Sequence, residues 1–228
     1  MRKVTSSEMK AIDELCIKAI GIPGIVLMEN AALKVIKHID SKYNNFTIVC
    51  GVGNNGGDGL AVARHLIVED KNVDIFVLGN LDKASKDFTT NYNILINLGV
   101  EIQQITREED LKRISDVCSS DPSKSLDNSQ MTIDSIFGTG LTRNVEGLFA
   151  ETIDIMNEKS KYIISVDIPS GLNADNGEIL NKCIKANKTI TIQLPKIGLS
   201  TFNGKLNSGE VIVETIGMPK ITIEKILG

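Results

Sequence analysis

A glycine-rich segment at residues 51–59 (GVGNNGGDG) constrains the fold of this chain more than any other feature. It follows a β-branched run at residues 47–49 and precedes a helical pattern. A glycine-rich connection from a strand to a helix lets backbone amides and the positive end of the helix dipole approach an anion closely. We therefore predict a pyrophosphate-binding loop, in which the side chains of Asn54, Asn55 and Asp58 indicate chemistry beyond phosphate binding.

Strand patterns and helix patterns alternate along the rest of the chain. Apolar or β-branched runs predict strands at residues 46–50, 73–78, 101–104, 131–133, 162–166, 188–192 and 210–215. Helical patterns occupy residues 5–19, 25–39, 60–68, 84–98, 108–117 and 146–159. This alternation predicts parallel strands with right-handed crossovers. The expected fold is α/β: a three-layer, Rossmann-like, doubly wound, mainly parallel sheet with two N-terminal helices.

Composition and charge exclude several classes of protein. With 228 residues, 42% of them hydrophobic, the chain suits one domain, and the polar stretch at residues 119–130 is predicted to be a solvated loop rather than a domain boundary. A net charge of -4 with interspersed signs provides no positive field for nucleic acid or an anionic membrane.

The cysteines and histidines indicate neither disulfides nor zinc. The 4 cysteines lack paired spacing, so a disulfide framework or a zinc ribbon is not predicted. His38 and His65 lie in helical patterns without a second ligand at metal spacing, and we predict structural roles for both. Because no apolar run reaches membrane-spanning length either, the expected location is cytoplasmic.

Polar segments also follow the later strands, at residues 134–144, 167–173 and 191–199. Because the carboxyl ends of parallel strands share one edge of a sheet, we expect these segments to border one crevice with the glycine-rich segment. Asp134 and Asp167 directly follow apolar runs, where an ionised carboxylate needs a partner, a metal ion or a proton. Both are therefore site candidates. Gly138, Gly140 and Ser170 are also compatible with ordinary turns.

A dinucleotide-dependent oxidoreductase is an alternative interpretation. Gly51, Gly53 and Gly56 satisfy G-x-G-x-x-G between a strand and a helix. That class also places an acidic residue at the end of the second strand, yet the second predicted strand is followed by Gly79 and Asn80. An aspartate inside the glycine-rich segment and two helices before the first strand are further departures, so hydride transfer is the less favoured function.

Five motifs stand in order along the chain: residues 21–32 (GIPGIVLMENAA), 51–59, 134–141 (DSIFGTGL), 166–172 (VDIPSGL) and 195–199 (PKIGL). Together they resemble the NAD(P)H-hydrate epimerases, the YjeF N-terminal domain family, from Thr5 to Pro219. These isomerases interconvert the R and S epimers of NAD(P)HX, in which water has added to the reduced nicotinamide ring, so that an S-specific dehydratase can restore NAD(P)H. The resemblance implies one epimerase domain over residues 1–228, without a dehydratase domain.

The resemblance also implies two sets of site residues. Contacts with the substrate NAD(P)HX are implied for Asn54, Asn55, Gly56, Gly57, Asp58, Gly138, Thr139, Gly140, Leu141, Thr142, Arg143, Asn144 and Asp167. A potassium ion is implied as the cofactor, with Asn55, Asp134 and Ser170 as its side-chain ligands. Amide, carboxylate and hydroxyl oxygens are hard donors that suit such a cation. The ion would also account for Asp134 in an apolar setting.

The implied reaction requires a proton donor. The ring nitrogen can expel the hydroxyl and leave an iminium ion, which water re-enters from either face. We assign Asp167 to protonate the departing hydroxyl and then to accept a proton from returning water, a role worth about two to four orders of magnitude in rate. Asp58 is the second candidate, unless it only fixes the loop through backbone amides. Lys196 is either a phosphate ligand or a surface residue, and Arg64 and Arg143 are candidates for an NADP ribose phosphate.

Partners follow from the same resemblance. The expected ones are the small-molecule substrate, a dehydratase that uses ADP or ATP, and a second copy of the chain. The first two helices are rich in apolar residues, and Val26 and Met28 are predicted to lie at a homodimer interface unless they pack against the sheet.

Gln193 stands where the family pattern has an aromatic or apolar residue. A non-catalytic nucleotide-binding or assembly module is the less favoured alternative, because the site residues are present.

Overall fold

The computed structural model describes residues 2–118 and 130–228, so the predicted solvated loop lies almost wholly outside the described residues. The strands of the described part are β1 (Asn45–Gly51), β2 (Asn72–Leu78), β3 (Ile102–Ile105), β4 (Gln130–Ser135), β5 (Ile163–Val166), β6 (Lys188–Ile192) and β7 (Glu210–Glu214). Its α-helices are α1 (Ser6–Leu15), α2 (Gly24–Lys37), α3 (Asn54–Val68), α4 (Lys86–Asn97), α5 (Leu111–Cys118), α6 (Leu148–Lys159), α7 (Phe202–Asn207) and α8 (Lys220–Leu227). Every predicted strand and helix is present, whereas α7 and α8 were not predicted.

The described strands form one sheet in the order β3-β2-β1-β4-β5-β6-β7, and every neighbouring pair is parallel. The predicted doubly wound fold is therefore confirmed. The strand order reverses between β1 and β4, and doubly wound proteins bind ligands outside the carboxyl ends of the strands at such a reversal. In the register, Asp134 of β4 lies between Val49 of β1 and Ser165 of β5. The segments that follow β1 and β4 thus flank the expected binding crevice.

Apolar packing covers both faces of the sheet. Ile48 of β1 packs in one core cluster with residues of α2, α3 and α4, whereas the next residue, Val49, packs in a second cluster with residues of α5 and α6. Successive side chains of a strand point to opposite faces, so a strand buried on both faces needs a continuous apolar run. A third cluster joins Ile12 of α1 to Leu227 of α8.

The glycine-rich segment differs from its prediction as a loop. The helix α3 begins at Asn54, so residues 54–59 form the first turns of that helix. Close packing requires a glycine in these turns, because a Cβ atom at Gly56 would lie 1.7 Å from the carbonyl oxygen of Gly51. Gly53 is the N-cap, no side chain caps the helix, and a Cβ atom at Gly53 would meet nothing within 4 Å. The first amides of α3 are therefore open to an anion.

The entry to α1 is fixed from two sides. The predicted capping box is present: the Thr5 hydroxyl accepts a hydrogen bond from Glu8 N at 3.1 Å, and Thr5 N donates to the Glu8 carboxylate at 2.8 Å. Immediately before it, Val4 forms an isolated parallel bridge with Lys196, in which Val4 N donates to Pro195 O at 2.9 Å. The start of α1 thus lies beside the segment that follows β6.

For Met28 the structure supports burial, the second of the two predicted alternatives, because its side chain lies inside the protein. A Cβ atom at Gly57 would lie 2.5 Å from Met28 Cε, and Asn91 Nδ2 lies 3.3 Å from Met28 Sδ. Val26 and Leu33 of α2 are exposed, as are Ile17 and Ile20 of the π-helical segment Cys16–Ile20 that follows α1. None of the helices in the described part combines the length and the apolar character that crossing a bilayer requires.

Candidate active site

Asp134 lies inside β4 and not after it, which corrects the predicted strand end at residue 133. Its side chain is fully buried and accepts four hydrogen bonds: from Ser165 Oγ at 2.7 Å, Ser170 Oγ at 2.5 Å, Ser170 N at 2.9 Å and Ile136 N at 3.3 Å. Burial raises the pKa of Asp134, and the hydrogen bonds from Ser170 and Ser165 oppose that rise. Ser165, which the sequence did not single out, is therefore part of the reason a carboxyl group is tolerated here.

Asn55 is a buried amide without a partner. It is the second residue of α3, and neither Oδ1 nor Nδ2 forms a hydrogen bond with the described residues. An unsatisfied buried polar group costs about 1–3 kcal/mol, so its retention favours a role as a ligand. The amide packs against Gly138, whose neighbour Phe137 donates from its backbone N to Ser170 Oγ at 2.9 Å. Residues 137–138 thus lie against both Asn55 and Ser170, and Ser170 is in turn bonded to Asp134.

Asp167 follows β5 in a strained turn. Its φ is 69°, in the left-handed region, and Ile168 N donates across it to Val166 O at 2.9 Å. This is a γ-turn of the rare positive-φ type, and such strain clusters at functional sites. The carboxylate Oδ1 accepts hydrogen bonds from Lys196 Nζ and from Ile192 N, the latter at 3.1 Å. The side chain is 14% exposed at the carboxyl edge of the sheet.

Lys196 is fully buried, so both its predicted surface position and its predicted phosphate contact are wrong. Its ammonium contacts the Asp167 carboxylate, Thr191 Oγ1 at 3.0 Å and Ile192 O at 2.8 Å. An ammonium group has three N–H donors, and these three acceptors use all of them. No donor is left for a phosphate.

Asp58 lies one helical turn after Asn54, and its side chain is only partly exposed. It forms no hydrogen bond with the described residues, so the alternative that it fixes the loop through backbone amides is not supported. Loss of hydration raises the pKa of Asp58 well above its usual range. The charges of Asp167 and Asp13 raise it further, and Lys196 opposes them.

Asp13 of α1 is a site-edge residue that the sequence analysis missed. Loss of hydration, followed by the charge of Asp167, raises the pKa of Asp13 to about 6, against the opposing charge of Lys196. Three carboxyl groups and one ammonium therefore influence one another at this edge. Asp13 could have been recognised in the sequence, because it is an acidic residue that directly follows Ile12 on the apolar face of a predicted helix.

The remaining residues that were predicted to contact the substrate differ in burial. Gly138 and Thr139 lie partly buried beside the crevice, Leu141 is buried in the second core cluster, and the exposed members of the segment are Gly140, Thr142, Arg143 and Asn144. Arg64 is paired with Glu29, which makes it a poor candidate for a ribose phosphate. Both histidines pair with glutamates, His65 with Glu29 and His38 with Glu214, in agreement with their predicted structural roles.

Comparison with known proteins places this geometry in a family. The family described as YjeF-related protein N-terminus matches residues 24–198. The NAD(P)H-hydrate epimerase of Anaerococcus prevotii is 41% identical over 100% of both chains. The bifunctional NAD(P)H-hydrate repair enzyme Nnr of Moorella thermoacetica is 37% identical over 96% of this chain and 41% of that one. The crystal structure of the yeast protein ynu0 has the same fold, with a TM-score of 0.77, 22% identity and coverage of 100% of this chain and 94% of that one. The chain therefore belongs to the YjeF-related N-terminal family.

Proposed function

We propose that this protein is an NAD(P)H-hydrate epimerase, an isomerase that interconverts the R and S epimers of NAD(P)HX in cofactor repair. The observation that carries the proposal is the 41% identity, over the whole of both chains, to the Anaerococcus prevotii protein of that name. The site geometry supports it. The reaction needs an anion site for the dinucleotide beside a proton-transfer group, and Asp58 lies in the same helix as the open amides of α3, where the charge of Asp167 acts on it.

The substrate pyrophosphate fits the N-terminus of α3, where backbone amides are open and the helix dipole favours negative charge. The dinucleotide then extends between α3 and the segment at residues 138–144. It contacts the first residues of α3, from Asn54 to Asp58. This placement brings the hydrated nicotinamide ring to the carboxyl groups. Asp58 and Asp167 supply the proton that the departing hydroxyl takes up and accept the proton that the returning water loses.

We include a potassium ion in the proposal. The fit rests on the buried Asn55 side chain, whose amide oxygen lacks a partner among the described residues, and on the neighbouring oxygens of Ser170 and Asp134. Amide, hydroxyl and carboxylate oxygens are the donors that a hard cation takes. When bound, the ion would offset the charge of Asp134 and fix α3, β4 and the segment after β5 relative to one another.

The cation has a test that does not depend on activity. Adding potassium to a tetramethylammonium buffer is expected to raise the midpoint of thermal unfolding, because a ligand that binds only the folded state stabilises it. In Asn55→Ala this increase disappears, while stability without potassium does not fall, since the variant lacks the unsatisfied amide. A wild-type midpoint that is independent of potassium would contradict the proposed ion.

The activity is tested by a coupled assay. Purified protein in potassium buffer receives (R)-NADHX together with an S-specific dehydratase and its nucleotide, and the return of NADH absorbance is followed. Recovery faster than the spontaneous rate is expected, and Asp154→Asn serves as a matched control because Asp154 lies in an exposed ion pair with Lys182. No acceleration by folded protein would favour the non-catalytic module.

Three finer expectations complete the proposal. The four free cysteines, all in the described part, support a cytoplasmic location. Functional coupling to a dehydratase is supported by the bifunctional relative. A homodimer is supported by the exposed side chains of Ile17, Ile20, Val26 and Leu33, and Val26→Asp is expected to yield a folded monomer in light scattering.

A further inference from the structure

The two oxygens of the Asp167 carboxylate have different surroundings. Every hydrogen bond that this side chain makes with the described residues ends on Oδ1, from Lys196 Nζ, from Ile192 N at 3.1 Å and from Thr191 Oγ1 at 3.5 Å. Within residues 2–118 and 130–228, Oδ2 has no hydrogen-bond partner. One oxygen is thus anchored in the protein, and the other is free to face a substrate.

The ammonium of Lys196 is the charged member of that anchor. Its side chain is 1% exposed, and a buried charge costs several kcal/mol unless it is paired and hydrogen-bonded. The pairing with Asp167 and two further acceptors meets this requirement. The backbone on both sides is held as well, because Pro195 O accepts from Val4 N at 2.9 Å and Ile197 N donates to Val4 O at 3.1 Å. Lys196 therefore cannot move away from the carboxylate without loss of these contacts.

Asp58 has the opposite surroundings. It has no hydrogen bond with the described residues, lies in a poorly hydrated position, and is influenced by the charges of three other carboxyl groups, those of Asp167, Asp13 and Asp87. The neighbouring ammonium is committed to Asp167. Two carboxyl groups of the same site are thus placed in environments of different charge, which is the arrangement by which enzymes separate an acid from a base.

We propose that Lys196 is a positioning residue, which fixes the Asp167 carboxylate with Oδ2 towards the substrate and so divides the acidic roles, with Asp58 as proton donor and Asp167 as proton acceptor. This inference rests on the proposed epimerase function. It assigns to Lys196, which contacts no substrate, an effect on the reaction that passes through Asp167.

The division of roles gives a balanced reaction. Asp58 donates its proton to the ring hydroxyl, the C–O bond breaks with its electron pair leaving in water, and the lone pair of the ring nitrogen forms the C=N bond of the iminium ion. Water then forms a new C–O bond on the opposite face, the C=N electron pair returns to nitrogen, and Asp167 accepts the proton that this water loses. One proton has moved from Asp58 to Asp167, and its return through site water restores both groups.

The test is a double-mutant cycle in the coupled assay, using Lys196→Met, Asp167→Asn and the double variant. Lys196→Met is expected to lower kcat about 100-fold and to change KM less than about threefold, since positioning acts on the reaction step. In the Asp167→Asn background, the same substitution is expected to change kcat less than about threefold, because the residue through which Lys196 acts is absent.

Lys188→Met is the matched control. Lys188 is also a β6-region lysine in an ion pair with a carboxylate, that of Glu210 at 3.6 Å, and kcat is expected to stay within about twofold of the wild type. If Lys196→Met alone does not fold, a loss of more than about threefold in kcat between Asp167→Asn and the double variant still overturns the proposal, because an effect that passes through Asp167 needs the carboxylate.

Each outcome separates the two proposals. Absence of wild-type turnover overturns the epimerase function and this inference together. Wild-type turnover combined with additive losses in the cycle, or with an unchanged kcat in folded Lys196→Met, overturns only the role of Lys196. Wild-type turnover with a non-additive cycle supports both.

Discussion

Asp167 and Gln193 form the same type of backbone turn at the ends of two neighbouring strands. Each follows its strand directly, β5 or β6, and each is a non-glycine residue with positive φ, 69° at Asp167 and 64° at Gln193. Each turn is closed across two residues, by Ile168 N to Val166 O at 2.9 Å and by Leu194 N to Ile192 O at 2.8 Å. Both backbone N–H groups also bond to the next strand of the sheet, at 2.8 Å to Ile190 O and 2.7 Å to Glu214 O.

The side chains of the two turns meet different neighbours, and we call the turn at Gln193 the covered turn and the turn at Asp167 the open turn. Gln193 is 3% exposed, and its Oε1 accepts a hydrogen bond from Ile216 N at 3.0 Å, so the segment after β7 covers it. Asp167 is 14% exposed at the carboxyl end of β5, where Lys196 binds one of its oxygens and the other has no hydrogen-bond partner among the described residues. A strained turn costs about 1–3 kcal/mol in either place. If a later segment covers the side chain, the strained turn serves the fold. If the side chain stays accessible, the turn can serve a site.

The largest expected effect comes from removing the open side chain. Asp167→Asn keeps the size of the side chain but cannot accept a proton, so kcat/KM for epimerisation is expected to fall about 10²–10⁴-fold. Thermal unfolding checks that the variant is folded. The loss of activity is measured against Asp154→Asn, in an exposed ion pair with Lys182. Near-normal turnover in folded Asp167→Asn would show that the Asp167 carboxylate is not needed for the reaction, and would contradict its assignment as proton acceptor.

A second prediction uses the carboxyl groups around the turn at Asp167. Loss of hydration, with the charges of Asp167 and Asp13, raises the pKa of Asp58 well above its usual range, and the charge of Asp87 on α4 adds to the effect. A proton donor acts only while protonated. On the alkaline side of the pH–rate profile, the rate is therefore expected to fall as the pH rises through that raised pKa.

Asp58→Asn is the variant that tests this assignment. It is expected to lose about 100-fold in kcat/KM and to lack the alkaline limb of the wild-type pH–rate profile. The same profile for Asp167→Asn serves as the control, since its residual activity still depends on protonated Asp58. An alkaline limb that persists unchanged in Asp58→Asn would assign the proton donor to another group.

The covered turn is predicted to affect stability and not chemistry. Gln193→Ala removes the acceptor of Ile216 N and leaves a buried N–H group without its partner, which costs about 1–3 kcal/mol of unfolding free energy. Urea denaturation measures this loss. The rate per folded molecule is expected to match the wild type. A reduced rate with unchanged stability would show that this turn also contributes to the site.

Much of this fold was predictable because apolar runs and helical patterns alternate with little ambiguity. The sequence did not reveal the γ-turns, since positive φ is uncommon for any non-glycine residue and neither Asp167 nor Gln193 requires it. The helix α7 was missed because it contains Gly204, a weak helix former. In the structure a Cβ atom at Gly204 would lie 2.0 Å from Gly198 O, so a tertiary contact and not local propensity determines this residue.

The candidate site was predictable to a different extent. The apolar runs indicated Asp134 and Asp167 and the resemblance added a ligand role for Ser170, but neither revealed the burial of Lys196, because a lysine after a proline is typical of a surface. The pairing of Lys196 with Asp167 joins residues 29 positions apart. Contacts of this kind depend on strand order, which propensity does not encode, and the same limit explains why Asp13 was missed.

The smallest expected effect concerns Asp13, at the edge of the open turn. Its pKa is raised from 3.8 to about 6, chiefly by loss of hydration and then by the charge of Asp167. Between these values the folded state binds more protons than the unfolded state, so the free energy of unfolding falls as the pH rises from about 4 to about 6. The ionised side chain then destabilises the fold at neutral pH.

Asp13→Asn removes this titration. The variant is expected to be more stable than the wild type by about 1 kcal/mol near about pH 7, and not to gain near about pH 4, where Asp13 is largely protonated in the folded protein. Urea denaturation at the two pH values measures the difference, and Gln193→Ala, which removes no charge, is expected to lose the same free energy at both. An equal gain for Asp13→Asn at the two pH values would mean that packing on α1, and not the charge beside Asp167, sets its stability. The charged character of the open turn would then be limited to Asp58, Asp167 and Lys196.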